Sequence, residues 1–223
     1  MQYEVEIKSL LPDQQAADKL IERITLKDPS IQLVSEQHQL NHYFHGGNLT
    51  SLIETMQAHL SPKQLDLIRN IAARAGHINV RSRLRNDTVL LIVKGSLDDS
   101  SAAHSHQRME FEEPVDLSID ELDELILSSG WQLEAMWQAD RKIYRALGLT
   151  IDMVRTPGYG YLVEFEIVLS DNTARDEAHS QVIEVMKSLN ADELPNDRLE
   201  RMFAYYNEHW REYYGTDKTF TIL

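Results

Sequence analysis

Seven acidic residues lie in strand-like segments, mostly as Glu-x-Glu pairs: Glu4, Glu6, Glu110, Glu112, Asp152, Glu164 and Glu166. Because successive side chains of a strand point to opposite faces, each pair places both carboxylates on one face. One such strand alone is typical of a solvated face, but here the pattern is repeated along the chain. Carboxylate clusters without Cys or His favour hard cations, so the acids predict a Mg²⁺ or Mn²⁺ site.

Basic residues also alternate with apolar ones in these segments. Arg81, Arg83 and Arg85 share one face of a predicted strand, where three like charges repel unless an anion lies against them. Guanidinium and ammonium groups opposite carboxylates suit phosphate oxygens. A cavity holding both sets of charges suits a metal–polyphosphate complex. The predicted chemistry is phosphoryl or nucleotidyl transfer, promoted by positioning and charge stabilisation.

The periodicity predicts about eight strands, at 2–10, 31–44, 79–85, 89–95, 108–114, 131–146, 150–154 and 161–168. Turns or single helices link most of them, which favours an antiparallel sheet large enough to close into a barrel. Further helical patterns predict a hairpin insertion at 48–77 and C-terminal helices at 173–214. Helices on the outside of the barrel would leave the charged face inward, where charges must be paired or bind ions.

Composition limits the classes of protein. The 223 residues, 42% of them hydrophobic, suit one large domain or two small ones, and we expect a single domain over 1–223. The absence of cysteine excludes disulfides and thiolate zinc sites. The net charge of −14 argues against a nucleic-acid partner. No signal-peptide-like run or apolar stretch of about 18 residues is present, so we expect a cytoplasmic protein without a membrane partner.

The ordered set of charged motifs resembles the CYTH-domain proteins, or triphosphate tunnel metalloenzymes. This family includes thiamine triphosphatases, inorganic triphosphatases and class IV adenylate cyclases. The resemblance covers about residues 2–170 and rests on Glu4-x-Glu6-x-Lys8, Arg81-x-Arg83, Lys94-Gly95, Arg108-x-Glu110-x-Glu112, Arg141-x-x-Tyr144-Arg145, Asp152 and Glu164-x-Glu166.

The resemblance implies an α+β fold: an eight-stranded antiparallel β-barrel, or tunnel, with helices packed outside and a helical C-terminus. It implies that the seven acids hold Mg²⁺ or Mn²⁺, one metal tying the substrate to the carboxylates and a second activating water. The residues expected to bind the triphosphate are Lys8, Arg81, Arg83, Lys94, Arg108, Arg141 and Arg145. Those expected to have catalytic roles are Lys8, Arg83, Glu112 and Asp152.

The predicted function is metal-dependent hydrolysis of a triphosphate-bearing small molecule: inorganic triphosphate, thiamine triphosphate or a nucleoside triphosphate. One alternative is an adenylate cyclase that makes cyclic AMP from ATP. Another is a non-catalytic module that binds polyphosphate or nucleotide, with the hairpin at 48–77 relaying occupancy to a partner. The chain departs from the family pattern at His45, where an acid is usual, and at Ala139, where a lysine is expected. Lys142 could compensate for that missing lysine if the register of the strand were shifted.

The aromatic residues are assigned to packing. Trp131 and Trp137 are predicted to be core or interface residues rather than substrate-stacking ones. The C-terminal helix is expected to pack on the barrel, or across one mouth of it, and could also form a homodimer interface.

Overall fold

The computed structural model describes residues 3–96, 108–169 and 174–222. Its strands are β1 (Tyr3–Leu11), β2 (Gln32–His45), β3 (His77–Arg85), β4 (Thr88–Ser96), β5 (Arg108–Pro114), β6 (Gln132–Ala146), β7 (Leu149–Thr156) and β8 (Gly160–Leu169). Its helices are α1 (Gln14–Lys27), α2 (Leu49–Thr55), α3 (Pro62–Arg74), α4 (Ile119–Ser128), α5 (Arg175–Ser188) and α6 (Asn196–Tyr213), with a 3-10 turn at Met56–Ala58. The predicted strands and the helical C-terminus are confirmed, and α2 and α3 lie within the segment predicted to be a helical hairpin, 48–77.

The strands form one antiparallel sheet in the order β1-β8-β7-β6-β2-β3-β4-β5. Within the described part of the chain, β1 and β5 are the two end strands of this order. The chain divides into two compact units: a terminal unit, Met1–His38 with Gln138–Leu223, and a central unit, Gln39–Trp137. The expectation of a single domain over 1–223 stays a prediction.

The terminal unit buries the apolar face of β1, β7 and β8 under two helices. Val5 and Ile7 of β1 are 6% and 5% exposed, and Phe165 of β8 is fully buried. They pack in one core with Leu20 of α1 and Val182 of α5. Since side chains alternate along each strand, the acidic residues of these strands lie on the face that these helices leave uncovered.

The central unit repeats this arrangement with other helices. Phe44 of β2, Val80 of β3 and Phe111 of β5 are at most 2% exposed. Their core includes Ile68 of α3 and Ile126 of α4. The prediction that helices cover the apolar face of the sheet is therefore confirmed in each unit.

Side-chain caps set where two of the central helices begin. Ser61 accepts a hydrogen bond from the Gln64 amide and the Gln64 side chain accepts one from Ser61, a capping box with Pro62 at the first helical position. Ser118 and Glu121 form the same box at the start of α4. Both caps were predictable from the sequence. The C-terminal cap of α3 is Ala75, whose backbone is extended. None of the described helices is long and apolar enough to cross a membrane.

Candidate functional site

The uncovered face of the terminal unit aligns charged residues from three neighbouring strands. Lys8 of β1 is the register partner of Glu164 of β8, and Glu164 is the partner of Asp152 of β7. Two residues along, Glu6 pairs in register with Glu166. Directly opposed residues of antiparallel strands share a face, so these groups are neighbours. The structure therefore brings together predicted site residues that are up to 160 positions apart in sequence.

Five of these side chains form a chain of ion pairs in which acid and base alternate: Glu6, Lys8, Glu164, Arg141 and Asp152. Lys8 contacts Glu6, and its Nζ lies 3.2 Å from Glu164 Oε1. Arg141 donates to both Asp152 and Glu164, its Nη2 lying 3.4 Å from Glu164 Oε2. We call this set the ion-pair chain. It holds the carboxylates in fixed positions on one face.

The ion-pair chain contains more negative than positive charge. Three carboxylates, Glu6, Asp152 and Glu164, share two cations, Lys8 and Arg141. Burial raises the pKa of the Asp152 carboxyl above its ordinary value, although the hydrogen bonds and charge of Arg141 oppose this rise.

An oxygen-only donor set with surplus negative charge fits a hard divalent cation. Yet no three acidic or histidine side chains in the described part of the chain lie close enough together to form a ready-made metal site. The fit to a divalent cation therefore rests on the donor chemistry and the charge balance.

The corresponding face of the central unit carries more cations than acids. Glu112 Oε2 accepts from Arg83 at 3.2 Å, and its Oε1 accepts from Arg85 at 3.1 Å. Lys94 Nζ lies 2.8 Å from Glu110 Oε1. We call the following six residues the basic cluster: Arg81, Arg83, Arg85, Lys94, Glu110 and Glu112. Four cations with two carboxylates leave surplus positive charge, which suits an anionic ligand.

Arg81 differs from the other cations of the basic cluster. Its Nε donates to Asn79 Oδ1 at 2.5 Å, and its guanidinium carbon lies 4.3 Å from the centroid of the Tyr43 ring. Among the described residues it has no carboxylate partner. Its full charge is therefore available to a ligand, whereas Arg83 and Arg85 share the carboxylate of Glu112.

Gly95 allows the strand that carries Lys94 to lie against α3. A Cβ at this position would be 2.5 Å from the Ala75 Cβ and 2.8 Å from Ile71 Cγ2. No side chain fits at those distances. In the Lys94-Gly95 motif, Lys94 therefore contributes charge and Gly95 permits close packing.

Several predicted site residues do not belong to the ion-pair chain. Glu110 and Glu112 are paired with cations of the central unit, and their predicted role as metal ligands stays a prediction. Arg145 is exposed on the same face of β6 as Arg141, and its register partner Thr150 is in turn the partner of Glu166. The side chains of Glu4 and Arg108 lie outside those that the structure describes, although their backbones are in β1 and β5.

The proposed compensation by Lys142 is wrong. Lys142 is the register partner of Met153, whereas Arg141 is that of Val154, so the two point to opposite faces of β6. Lys142 instead lies 3.1 Å from Glu36. The strict alternation of strand side chains excludes a one-residue shift without moving the whole strand.

Three contacts that orient arginines of the basic cluster were not predicted from the sequence. Asn41 Oδ1 accepts from Arg83 Nε at 2.5 Å, Asn79 holds Arg81, and Tyr43 lies under Arg81. The alternation Gln39-x-Asn41-x-Tyr43 in β2 is the signal that could have placed these residues on the charged face.

On the opposite, helix-covered face, Asp123 of α4 accepts from His42 Nδ1 at 2.6 Å and from the Ser82 hydroxyl. Nothing in the sequence spacing predicts that contact.

One end of the charged face of the terminal unit is closed by apolar contacts. Leu10 and Leu162, register partners two residues beyond Lys8 and Glu164, pack with Leu194 and with Met202 of α6. The Leu194 amide also donates to the Lys8 carbonyl at 2.7 Å, which satisfies part of the edge of β1. The predicted packing of the C-terminal helix on the sheet is confirmed.

Comparison with known proteins finds similarity in structure only. No family model matches the sequence. No curated protein matches it either.

A conserved hypothetical protein from Pyrococcus furiosus superposes with a TM-score of 0.56 at 20% identity, over 85% of this chain and 92% of that one. A Vibrio parahaemolyticus protein proposed to be an adenylate cyclase gives 0.55 at 15% identity, over 91% and 98%. A proposed adenylyl cyclase from Hippeastrum, described as having a dominant triphosphatase activity, gives 0.54 at 15% identity, over 93% and 96%.

These structures share the fold along nearly the whole of this chain. At such identities the likeness concerns the fold and not the activity. The predicted eight-stranded antiparallel sheet with helices packed against it is thereby confirmed, whereas no strand pairing among the described residues closes it into a barrel.

Proposed function

We propose that this protein is a divalent-metal-dependent hydrolase of a triphosphate-bearing small molecule. The observation that carries the proposal is the charge balance of the two clusters. The ion-pair chain has three carboxylates for two cations, and the basic cluster has four cations for two carboxylates. The metal of a metal–triphosphate complex suits surplus acid, and its phosphates suit surplus cations.

In the terminal unit, Glu6, Asp152 and Glu164 would hold Mg²⁺ or Mn²⁺, which when bound neutralises phosphate oxygens and lowers the pKa of a bound water. Lys8 and Arg141 keep these carboxylates in place through the ion-pair chain. The register across β1, β8 and β7 places the three carboxylates on one face, from which their side chains would move closer together to bind the metal.

In the central unit, Arg81, Arg83 and Lys94 would bind phosphate oxygens. Arg83 is oriented by both Asn41 and Glu112, and Lys94 by Glu110. A guanidinium held on two sides presents its remaining N–H groups in a fixed direction, which suits a phosphate. Arg81 contributes the charge that no described carboxylate shares.

Hydrolysis is preferred to cyclisation because it requires only water as the second reactant. The Hippeastrum protein combines a proposed cyclase identity with a dominant triphosphatase activity, and this combination supports the same order of preference. A non-catalytic binding module is the third candidate. It would keep the basic cluster but would not need the surplus of acid in the ion-pair chain.

A substrate panel tests the proposal. Purified protein with Mg²⁺ or Mn²⁺ is offered tripolyphosphate, thiamine triphosphate and ATP, and both phosphate and cyclic AMP are measured. We expect phosphate release from at least one substrate. Cyclic AMP as the main product would establish the cyclase, and tight binding without turnover the binding module. Failure to turn over any of them with either metal would refute the enzyme.

A further inference from the structure

The basic cluster lies beside two aromatic rings on the same face of the central unit. Tyr43 of β2 is the register partner of Arg81, so its ring is on the charged face. The Trp137 ring centroid lies 6.3 Å from that of Tyr43, with the two planes tilted by 55°. The guanidinium of Arg81 covers the Tyr43 ring at 4.3 Å. Aromatic and cationic groups thus adjoin each other.

These two rings differ from the other large aromatic residues of the central unit. Phe44, Phe111 and Trp131 are 1%, 2% and 4% exposed and belong to the core under the helices. Tyr43 and Trp137 are partly exposed. Trp137 is therefore not part of this core, and packing under the helices does not explain its place beside a cationic cluster.

We propose that Tyr43, Arg81 and Trp137 form a subsite for the flat aromatic group of the substrate, which makes the substrate a nucleoside triphosphate rather than inorganic triphosphate. The inference rests on the proposed function and specifies its substrate. Every nucleobase has a flat aromatic face that can stack on Tyr and Trp rings and on guanidinium planes. Arg81 would contact both the base and the phosphates of the ligand. It lies against the Tyr43 ring, and no described carboxylate shares its positive charge.

A substrate with a base and one without a base distinguish the contribution of this subsite from that of the phosphate-binding residues. The measurement is kcat/KM for ATP and for tripolyphosphate with wild-type protein and with Trp137→Ala, Trp137→Phe and Phe203→Ala. Loss of one stacked base costs roughly 5- to 100-fold in affinity. We therefore expect Trp137→Ala to lower kcat/KM for ATP by roughly 10-fold or more and to change it for tripolyphosphate by less than about twofold.

The two remaining variants are controls. Trp137→Phe keeps a ring and should retain most of the ATP activity. Phe203, a partly exposed aromatic residue of α6 in the terminal unit, should be replaceable without any change in preference. Equal losses for both substrates in Trp137→Ala, or no loss for either, would overturn the subsite. A wild-type enzyme that hydrolyses tripolyphosphate but not ATP would overturn the subsite and leave the proposed function standing.

A binding measurement decides the inference if no substrate is turned over. Tryptophan fluorescence is recorded while a non-hydrolysable ATP analogue or tripolyphosphate is added with Mg²⁺. Stacking on Trp137 predicts saturable quenching by the nucleotide analogue alone, and its loss in Trp137→Phe. Quenching that persists unchanged in that variant, or none in the wild type, would contradict the subsite.

Discussion

The cations of the central unit are held in different ways, and this decides which can serve a ligand. Arg83 and Arg85 share one carboxylate, and Lys94 is matched by Glu110. Arg81 is fixed by an amide oxygen and an aromatic ring, neither of which removes its charge. A ligand phosphate that meets Arg81 therefore need not displace a carboxylate.

Replacement of Arg81 tests this difference. We expect Arg81→Gln to raise KM for the triphosphate substrate by about 10- to 100-fold, since hydrogen bonds to charged groups contribute about 1.5–3 kcal/mol. Arg69→Gln is the matched control, because Arg69 is an exposed cation on α3 that pairs with Asp66. Steady-state kinetics of both variants decide the point. An unchanged KM in Arg81→Gln would mean that Arg81 does not bind the substrate.

At this scale the sequence predicts which residues share a face but not which ones meet. Alternation correctly grouped Glu6 with Lys8, and Arg81 with Arg83. The pairing of Arg141 with Asp152 and Glu164 depends on the register of β6, β7 and β8. Register is decided by turn geometry and by packing across strands, which local periodicity does not contain.

At the scale of elements, α4 contacts the sheet of the central unit through one carboxylate as well as through its buried apolar side chains. Asp123 accepts from His42 at 2.6 Å and from Ser82, which are register partners on β2 and β3. His42 is 4% exposed and Ser82 is fully buried. On the other face of the same strands lie Tyr43 and Arg81, so this contact stabilises the strands that carry the basic cluster.

Removal of the Asp123 carboxylate should destabilise the protein. Asp123→Ala removes the acceptor shared by two buried donors, and each such loss costs about 1–3 kcal/mol, so we expect a total loss of about 2–6 kcal/mol. Urea unfolding measures it. Glu124→Ala, at the neighbouring exposed position of α4, is the control and should stay within about 0.5 kcal/mol of wild type. Equal effects of the two substitutions would refute the attachment.

Asp28 links the end of α1 to the hairpin between β6 and β7. It accepts from the Leu147 amide at 2.7 Å and from the amide and hydroxyl of Ser30. The hydrogen bonds from Ser30, and then that from Leu147, lower the pKa of the Asp28 carboxyl. The Leu147 backbone has a φ of 56°, a left-handed conformation that is unusual for a leucine.

A lowered folded-state pKa makes the Asp28 contribution depend on pH. The stabilisation is complete above the unfolded-state pKa, about 3.9, and is lost as pH falls through the lower folded-state value. We expect Asp28→Asn to reduce the free energy of unfolding at pH 7 and to reduce it much less at about pH 2–3. Asp192→Asn, an exposed aspartate, should show no such dependence. A deficit of equal size at both pH values would contradict this explanation.

The elements themselves were largely predictable, because their signals are local. Ser61-Pro62 and Ser118 mark helix starts through capping, which involves residues within one turn. The partly exposed Trp137 and the contact between Asp123 and His42 were not predictable, since each depends on which strands or helices meet. Helix caps depend on residues that are neighbours in sequence, whereas these contacts depend on residues that are neighbours only in the folded structure.

At the scale of the whole molecule, the net charge of −14 contrasts with the cationic surplus of the basic cluster. An acidic chain repels polyanions in general, so binding of a triphosphate must depend on local cations and on divalent metal. The surplus acid of the ion-pair chain should in turn make the folded protein bind that metal more tightly than the unfolded chain does.

Metal should therefore stabilise the fold. At a concentration about 100 times the dissociation constant, a metal that binds only the native state adds about 2.7 kcal/mol. For a chain of this size that corresponds to a rise in Tm of about 5–10 °C. Differential scanning fluorimetry with Mn²⁺ or Mg²⁺ measures it, with NaCl of equal ionic strength as the control. Asp152→Asn should lose the metal-dependent shift, and a shift of the same size in that variant would place the metal elsewhere.

The measurement that tests the central claim most directly is phosphate release from the best triphosphate substrate, with and without divalent metal. We predict turnover by wild-type protein that stops with EDTA, returns with excess Mg²⁺ or Mn²⁺, and falls about 100-fold or more in Asp152→Asn. Glu36→Gln, which alters an acid paired with Lys142 on the other face of the sheet, should keep the wild-type rate. Turnover that survives EDTA, or that is as fast in Asp152→Asn as in wild type, would contradict the account.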